Sequence, residues 1–179
     1  MAGAATHGLN TTEDMLQDID PRAVLAAIPL FADTLDDRQL DHLAAQCEVL
    51  LFPAGSFLIS EGDFGDAMFA IIDGEAGVVL HDVRGAEHEV AALRAGDITG
   101  EMSILTGMRR QATVAAMTEV VALQIGKPAI EEMFARAPEL IDRFSEVLAE
   151  RQVLLNQVAA EAATPQDIAS RIRRFFGGR

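Results

Sequence analysis

The 179-residue chain has no tryptophan, no tyrosine and a single cysteine, Cys47. With one thiol it can form no intramolecular disulfide, and a cysteine-based metal site is not expected. Cys47 lies in an apolar stretch, which favours a thiol packed in the core over a reactive one. Such sparse use of cysteine is typical of a reducing compartment, so we expect a cytoplasmic location.

Basic residues are also scarce, with 14 Lys and Arg against 28 Asp and Glu and a formal net charge of -14. A nucleic-acid-binding surface needs a basic footprint that displaces counterions, so we expect no nucleic-acid partner. The imbalance is uneven, because the segment from Thr164 to the end has four arginines and one aspartate, a local charge of +3. An acidic chain can still bind an anion where cations and backbone N–H groups are concentrated.

Long apolar runs are absent as well. No stretch approaches the roughly 20 apolar residues that span a bilayer. The first ten residues lack the basic start and apolar core of a signal peptide. We therefore expect a soluble chain, in which residues 1–19 are a disordered lead-in or a segment added for expression.

Two short helices are predicted over residues 20–46. Asp20 followed by Pro21 is typical of a helix N-cap with proline at the first helical position, and Pro29 is expected to end that helix. Thr34 is then expected to cap a second helix, whose apolar stripe leads towards Cys47.

Residues 47–126 consist of short apolar runs separated by turn signals such as Pro53-Ala54-Gly55 and Asp73-Gly74. This spacing predicts six to eight short antiparallel strands. We expect a mainly β fold with flanking helices, built as an eight-stranded antiparallel jelly-roll barrel. Residues 100–108 interrupt the pattern, because Met, Ile and Leu at helical spacing predict a short inserted helix. The strand candidates are 49–52, 56–60, 67–72, 77–81, 88–93, 111–116 and 120–125.

The pattern is helical again after Gly126. We expect two helices over residues 127–163, with a hinge near Ala137-Pro138. A last short basic helix is expected within residues 164–179. Its apolar side suits docking on the domain itself or on a partner, with a membrane surface as the alternative. The apolar residues are Ile168, Ile172, Phe175 and Phe176.

The segment from Gly96 to Ala116 carries the chemistry. Gly100 permits close backbone approach, and the helix that opens at Glu101 presents N–H groups that can hold an anion. Arg110 follows nine residues later, at the start of the next strand, so the two side chains can face one another across a small cavity. A carboxylate accepts from a sugar hydroxyl and a guanidinium grips a phosphate. The pair therefore suits a ligand in which both groups are fused.

This segment resembles the phosphate-binding cassette of the cyclic nucleotide-binding domain family. The upstream sequence 61-EGDFGDAMFAIIDGEAGVV-79 resembles the family's glycine-bracketed hairpin, and the likeness runs from about Leu25 to Arg151. It implies a non-enzymatic sensor of cAMP or cGMP, with no metal or other cofactor. The matching cassette residues are Gly100-Glu101-Met102-Ser103-Ile104-Leu105, Gly107, Arg109-Arg110 and Ala112-Thr113-Val114.

The resemblance also implies a role for individual residues. Glu101 should accept from the ribose 2′-hydroxyl, and Arg110 should pair with the cyclic phosphate. Backbone N–H groups of Met102 and Ser103 should complete the phosphate cradle. The other ligand-binding residues that it implies are Gly100, Gln111 and Ala112 in the cassette, Val78 against the sugar and base, and Arg151 as a lid over the base.

Two residues depart from the family pattern. Arg109 stands where the family commonly has proline, which implies a looser loop and an extra charge. Gln111 stands where a small residue is usual and where cGMP-preferring branches often place threonine, so cAMP is favoured over cGMP.

Other interpretations remain open. Without the flanking motifs, Glu101 and Arg110 could be an ordinary surface ion pair. A cupin-type metal enzyme shares the predicted architecture but needs clustered histidines, and no His-x-His occurs among the four histidines. A kinase regulatory subunit is compatible with the family, although no inhibitor segment precedes the domain. A transcription factor would continue into a helix-turn-helix, for which the stretch after Pro165 is too short. The histidines are His7, His42, His81 and His88.

Segments 98–107 and 144–152, together with the terminal Ile-Arg-Arg-Phe-Phe, look most like the cytoplasmic end of bacterial channel-type proteins, including mechanosensitive-channel relatives. We therefore expect a sensor that regulates an attached or partner effector, a bacterial channel, through ligand-driven movement of the C-terminal helices. Such a domain would lie at the cytoplasmic face of the inner membrane and could form oligomers through the parent channel. A stand-alone or transcription-factor-derived sensor is the alternative.

Overall fold

The computed structural model describes residues 12–81 and 87–156. Within these ranges, short helices precede the strands, one helix interrupts them and two follow. The helices are α1 (Thr12–Gln17), α2 (Pro21–Ala26), α3 (Pro29–Ala32), α4 (Asp37–Ala44), α5 (Glu101–Thr106), α6 (Lys127–Arg136) and α7 (Leu140–Asn156). The strands are β1 (Cys47–Phe52), β2 (Phe57–Ile59), β3 (Ala67–Asp73), β4 (Ala76–His81), β5 (Glu87–Leu93), β6 (Ile98–Thr99), β7 (Thr113–Ala116) and β8 (Val120–Gly126).

The strands form two four-stranded sheets, in the orders β1-β8-β3-β6 and β2-β7-β4-β5. The strand pairs in the described ranges are antiparallel. The predicted class, an eight-stranded antiparallel jelly roll with flanking helices, is therefore confirmed. The strands divide between two sheets rather than closing into one barrel, because two facing sheets can each bury one face against the other.

Strand β3 joins the two halves of the core. Successive side chains of a strand point to opposite faces. Met68 and Ala70 pack with the helices, in a cluster that includes Phe31 and Phe144. Phe69, on the opposite face of β3, packs in a second cluster between the sheets. Both faces of β3 are thus buried, which explains its uninterrupted apolar run.

The start of α2 agrees with the sequence. The Asp20 side chain accepts from the N–H of Arg22 at 2.9 Å, and Pro21 is the first helical residue. The inserted helix predicted within residues 100–108 is also present, as α5.

Two predicted boundaries near α4 are wrong. Pro29 does not simply end a helix: it begins the one-turn helix α3, where its fixed φ is suited to the first position. Thr34 does not cap α4, because its hydroxyl donates to the carbonyl of Leu30 in α3. The cap is Asp36, which accepts from the N–H of Gln39 at 2.8 Å and completes a capping box.

The chain ends are described only in part. Within residues 1–19, Thr12–Gln17 form helix α1. Beyond α7, the remainder of the 127–163 segment and the basic tail 164–179 lie outside the described residues, so the tail helix stays a prediction. In the ranges that are described, no helix is both long and apolar enough to cross a membrane.

Cys47 begins β1, where it pairs with Ile125 of β8. The half-buried thiol donates to the carbonyl of Leu43 at 3.2 Å. Burial raises the pKa of the Cys47 thiol to about 12. The thiolate is therefore scarce near neutral pH, in line with the expected core role.

We predict that Cys47 reacts slowly with Ellman's reagent at pH 8. With a pKa near 12, only about one thiol in ten thousand is ionised at that pH, and the thiolate is the reactive form. In guanidinium the same thiol should react rapidly, since it regains a pKa of about 8.5. The absorbance of the released product measures the rate under each condition, and equal rates would contradict the assignment.

The raised pKa of Cys47 also affects stability. The thiol of the unfolded chain ionises at a lower pH than the half-buried thiol of the folded chain. Its ionisation therefore lowers the free energy of unfolding as the pH rises from about 8.5 to 12.

Candidate ligand-binding site

A pocket of about 140 Å³ opens where the end of β6, the start of α5 and the segment before β7 meet the second sheet. Every predicted ligand-binding residue except Arg151 lies on its wall. The lining residues are Ile59, Val78, Thr99, Gly100, Glu101, Met102, Ser103, Arg110, Gln111, Ala112 and Val114.

Arg110 is the buried cation of this pocket, with 6% of its surface exposed. Its Nη1 donates to the carbonyl of Gly100 at 2.9 Å, and its Nη2 donates to the carbonyl of Ala67. A guanidinium carries five N–H donors in a fixed plane. The two bonds recorded in the described residues therefore fix its orientation and leave donors for a ligand.

The charge of Arg110 is set by opposing influences. Burial lowers the pKa of its guanidinium, while Asp66, Glu101 and Asp63 act in the opposite direction. Asp66 forms an ion pair with Arg110, with 3.8 Å between its Oδ1 and Nη2, and its side chain is almost fully exposed. Arginine nevertheless stays protonated in proteins, because its pKa lies far above neutral pH. The pocket thus holds a permanent positive charge shielded from water.

Glu101 reaches the same pocket because Gly100 turns the chain. Gly100 has a φ of 82°, in the left-handed region, and is the N-cap of α5. A Cβ at Gly100 would lie 2.5 Å from Nη1 of Arg110 and 2.9 Å from Cδ1 of Ile59. Only glycine allows the backbone this close to the guanidinium. Glu101 and Arg110 therefore share one cavity, as the sequence predicts.

The other predicted residues differ in exposure. Ser103 is buried, Met102 and Ala112 are half-buried, and Gln111 is exposed at the rim. Val78 is half-buried in β4, where it pairs with Val114 and lines the wall. Of Arg151, only the backbone is described, as part of α7, so its lid role stays a prediction.

Sequence reasoning missed three wall residues: Ile59, Thr99, and Val114, which was matched to the cassette but not predicted to line the site. Ile59 belongs to β2 and Thr99 to β6, and each looks like an ordinary strand residue in the sequence. Thr99 directly precedes the Gly-Glu motif, which is the one local signal for its position. For Ile59 only the pairing of β2 with β7 brings it to the pocket.

A larger cavity of about 220 Å³ lies between α4 and α6. Two arginines line this cavity, and both are exposed. Arg136 of α6 forms an ion pair with Glu132 at 2.5 Å, and Arg38 belongs to α4. The larger cavity therefore lacks the buried, oriented charge of the smaller pocket. In the part of the chain that the structure describes, no group of three or more metal-ligating side chains occurs either.

Comparison with known proteins identifies the same region. The family model described as "Cyclic nucleotide-binding domain" matches residues 49–137, from β1 to the end of α6. A cyclic nucleotide-gated potassium channel of Rhizobium etli is 32% identical over 129 residues, 72% of this chain and 34% of the channel. A cAMP-dependent protein kinase regulatory subunit of Emericella nidulans is 31% identical over 121 residues, 68% of this chain and 28% of that subunit.

A solved structure is similar over its whole length. It is the N-terminal domain of a transcriptional regulator from Streptomyces coelicolor A3(2), with a TM-score of 0.62 and 29% identity. The match covers 77% of this chain and 98% of that one. By contrast, the chain spans only 28% to 34% of the length of the two curated relatives.

We predict that Gly100→Ala destabilises the protein more than Gly96→Ala. Both glycines have positive φ, so each alanine meets a backbone strain of about 1–2 kcal/mol. Nothing lies within 4 Å of a Cβ at Gly96, whereas the Cβ at Gly100 would collide with the held guanidinium. The collision should add about 1–3 kcal/mol. Urea unfolding of the ligand-free variants measures the difference, and equal losses would contradict the close packing of Gly100 on Arg110.

Proposed function

We propose that this chain, which belongs to the cyclic nucleotide-binding domain family, binds a cyclic nucleotide in the pocket of Glu101 and Arg110. The observation that carries the proposal is the buried guanidinium of Arg110, oriented by two backbone carbonyls at the wall of that pocket. A cyclic phosphate needs a fixed cation in a place of low dielectric constant, where a charged hydrogen bond is strong. The family is a regulatory one, and we propose that this member is a sensor without catalytic activity.

The proposed contacts of the ligand involve its ribose and its phosphate. Glu101 accepts from the ribose 2′-hydroxyl, and Arg110 donates to the phosphate oxygens. The amides of Met102 and Ser103, in the first turn of α5, have no acceptor inside the helix and complete the phosphate contacts. Val78 packs against the sugar and base. The carboxylate and the guanidinium thus bind the two polar groups that a cyclic nucleotide holds rigidly together.

We propose cAMP as the preferred nucleotide. The kinase regulatory subunit of Emericella nidulans is named as cAMP-dependent, which supports this choice. Gln111, at the rim of the pocket, stands where cGMP-preferring branches often have threonine.

The signal is proposed to pass to the helices that follow β8. The N–H of Lys127, the first residue of α6, donates to the carbonyl of Asp66 at 2.7 Å. The next carbonyl, that of Ala67, accepts from Arg110. Ligand on Arg110 therefore acts one peptide away from the start of α6. The nucleotide shifts the helices only as far as its affinity differs between their two positions, with a hinge near Ala137-Pro138 and Arg151 closing over the base.

The effector is proposed to be a bacterial channel, which would place the domain at the cytoplasmic face of the inner membrane. The similarity to the gated potassium channel of Rhizobium etli supports this proposal. A transcription-factor-derived or stand-alone sensor is the second candidate, because the regulator domain of Streptomyces coelicolor matches over 98% of its length.

Arg110→Ala should weaken cAMP binding about 10- to 150-fold, the effect of losing ~1.5–3 kcal/mol of charged hydrogen bond. Calorimetry with cAMP and cGMP measures the affinities and their ratio. Arg94→Ala is the matched control, because Arg94 is an exposed arginine paired with Glu75 away from the pocket. Arg110→Lys tests the fork geometry if the alanine variant folds poorly, and it should also bind weakly. Wild-type affinity in a folded Arg110 variant would refute the assigned role.

Glu101 should be coupled to the ribose 2′-hydroxyl. In the wild-type protein, 2′-deoxy-cAMP should bind about 10-fold more weakly than cAMP, because a charged acceptor loses its donor. Glu101→Gln should weaken cAMP binding less than Arg110→Ala, since the amide oxygen still accepts. In Glu101→Ala the deoxy analogue and cAMP should bind alike. An undiminished preference for cAMP in that variant would show that Glu101 does not contact the hydroxyl.

A further inference from the structure

We propose that Arg109 and Phe64 form a clasp that holds Arg110 in its binding position before a ligand arrives. Arg109 is then a positioning residue, which acts on the ligand through its neighbour. The proposal rests on the proposed function for the identity of the ligand and extends it to residues outside the pocket wall.

The clasp consists of three contacts between adjacent segments. Nη1 of Arg109 donates to the carbonyl of Gly62 at 2.8 Å. The guanidinium carbon of Arg109 lies 4.0 Å from the centroid of the Phe64 ring, which is a cation–π contact. The backbones of Phe64 and Arg109 form an isolated antiparallel bridge. The side chain of Arg109 therefore contacts the loop between β2 and β3, residues 60–66, and its backbone lies beside that of Phe64 in the same loop.

Arg110 is bound to this loop on both sides of its backbone. Its N–H donates to the carbonyl of Asp63 at 2.8 Å, and its carbonyl accepts from the N–H of Gly62 at 2.9 Å. Its guanidinium reaches the carbonyl of Ala67, the first residue of β3, which directly follows this loop. A shift of the loop relative to Arg109 would move both partners of the Arg110 backbone, the carbonyl of Asp63 and the N–H of Gly62. The position of the Arg110 backbone, from which the guanidinium extends, therefore depends on the clasp.

The loop also lies against the cassette helix. A Cβ at Gly65 would be 2.7 Å from Cβ of Ser103 and 3.2 Å from the amide nitrogen of Ile104. Farther along, the N–H of Glu61 donates to the hydroxyl of Thr113 at 3.1 Å. The loop is therefore held by the clasp at one side, and elsewhere it contacts α5 and β7.

Arg109 stands where proline is common in the family. The resemblance implied a looser loop at this position, whereas in the structure the side chain of Arg109 holds the neighbouring loop. Proline would fix φ covalently and would remove one N–H. Among the residues described, the N–H of Arg109 takes part in no backbone hydrogen bond, so proline at this position would remove none. The contacts of the arginine side chain therefore supply the restraint that a proline ring would supply.

An alternative role for Arg109 is a simple positive charge that attracts the anionic ligand. Two variants separate the roles. Phe64→Ala removes the stacked ring and keeps the charge, whereas Arg109→Pro removes the charge and restores a backbone restraint. The clasp predicts that the first variant binds weakly and the second binds well. If the charge of Arg109 alone matters, Phe64→Ala should bind cAMP as the wild type does and Arg109→Pro should bind it weakly. The loss of affinity in Arg109→Pro should then be larger at low salt.

The experiment measures cAMP affinity by calorimetry for the wild type, Arg109→Ala, Arg109→Pro, Phe64→Ala and Phe57→Ala. Arg109→Ala and Phe64→Ala should each bind about 3- to 10-fold more weakly, as expected for an exposed cation–π contact and one hydrogen bond. Arg109→Pro should stay within about twofold of the wild type, because the restraint is retained. Phe57 is the control: it is 62% exposed, Phe64 is 69% exposed, and Phe57 is not a pocket residue.

Hydrogen exchange of the Arg110 amide supplies a readout that needs no ligand. In the ligand-free protein, Arg109→Ala and Phe64→Ala should speed that exchange, while Phe57→Ala and Arg109→Pro should not. Unchanged exchange in the first two variants would overturn the clasp. Weak cAMP binding by Arg109→Pro together with wild-type binding by Phe64→Ala would overturn it in favour of the charge. A wild type that binds neither cAMP nor cGMP refutes the proposed function, and the exchange data then decide the clasp.

Discussion

The burial of one positive charge is the constraint on which the site depends. A guanidinium removed from water is costly unless hydrogen-bond acceptors replace the solvent. For Arg110 these acceptors are the carbonyls of Gly100 and Ala67, which lie far apart in the sequence. β3 must pair with β6 and the turn before α5 must form before the two carbonyls meet, and the second sheet supplies Ile59, Val78 and Val114 to the pocket wall. The pocket is therefore a product of the whole β region, and no single segment forms it.

The same constraint explains how a chain with a net charge of -14 can bind an anion. Nearby carboxylates stabilise the charge of Arg110, and Asp66 keeps its own side chain in water. The acidic surface and the basic pocket are thus compatible, because the guanidinium faces the cavity while the carboxylate that pairs with it faces solvent. The proposed binding of an anion thus relies on the local concentration of positive charge in the pocket.

The clasp adds a second layer to this arrangement. The guanidinium of Arg110 is held by carbonyls, and the loop that is bonded to the Arg110 backbone is held by Arg109 and Phe64. Lys127, at the start of α6, bonds to the same loop through Asp66. The pocket, the loop and the first helix of the C-terminal pair are therefore joined through short backbone segments.

The sequence by itself determined the fold class, the inserted helix at 101–106 and the pairing of Glu101 with Arg110 in one cavity. These features depend on local periodicity, glycine turns and a motif of fixed spacing, all of which are written along the chain. Only the tertiary structure decided that Ile59 lines the pocket and that Arg109 stacks on Phe64. Each of these depends on how distant segments pack, and a contact between residues 45 positions apart leaves no trace in local sequence patterns.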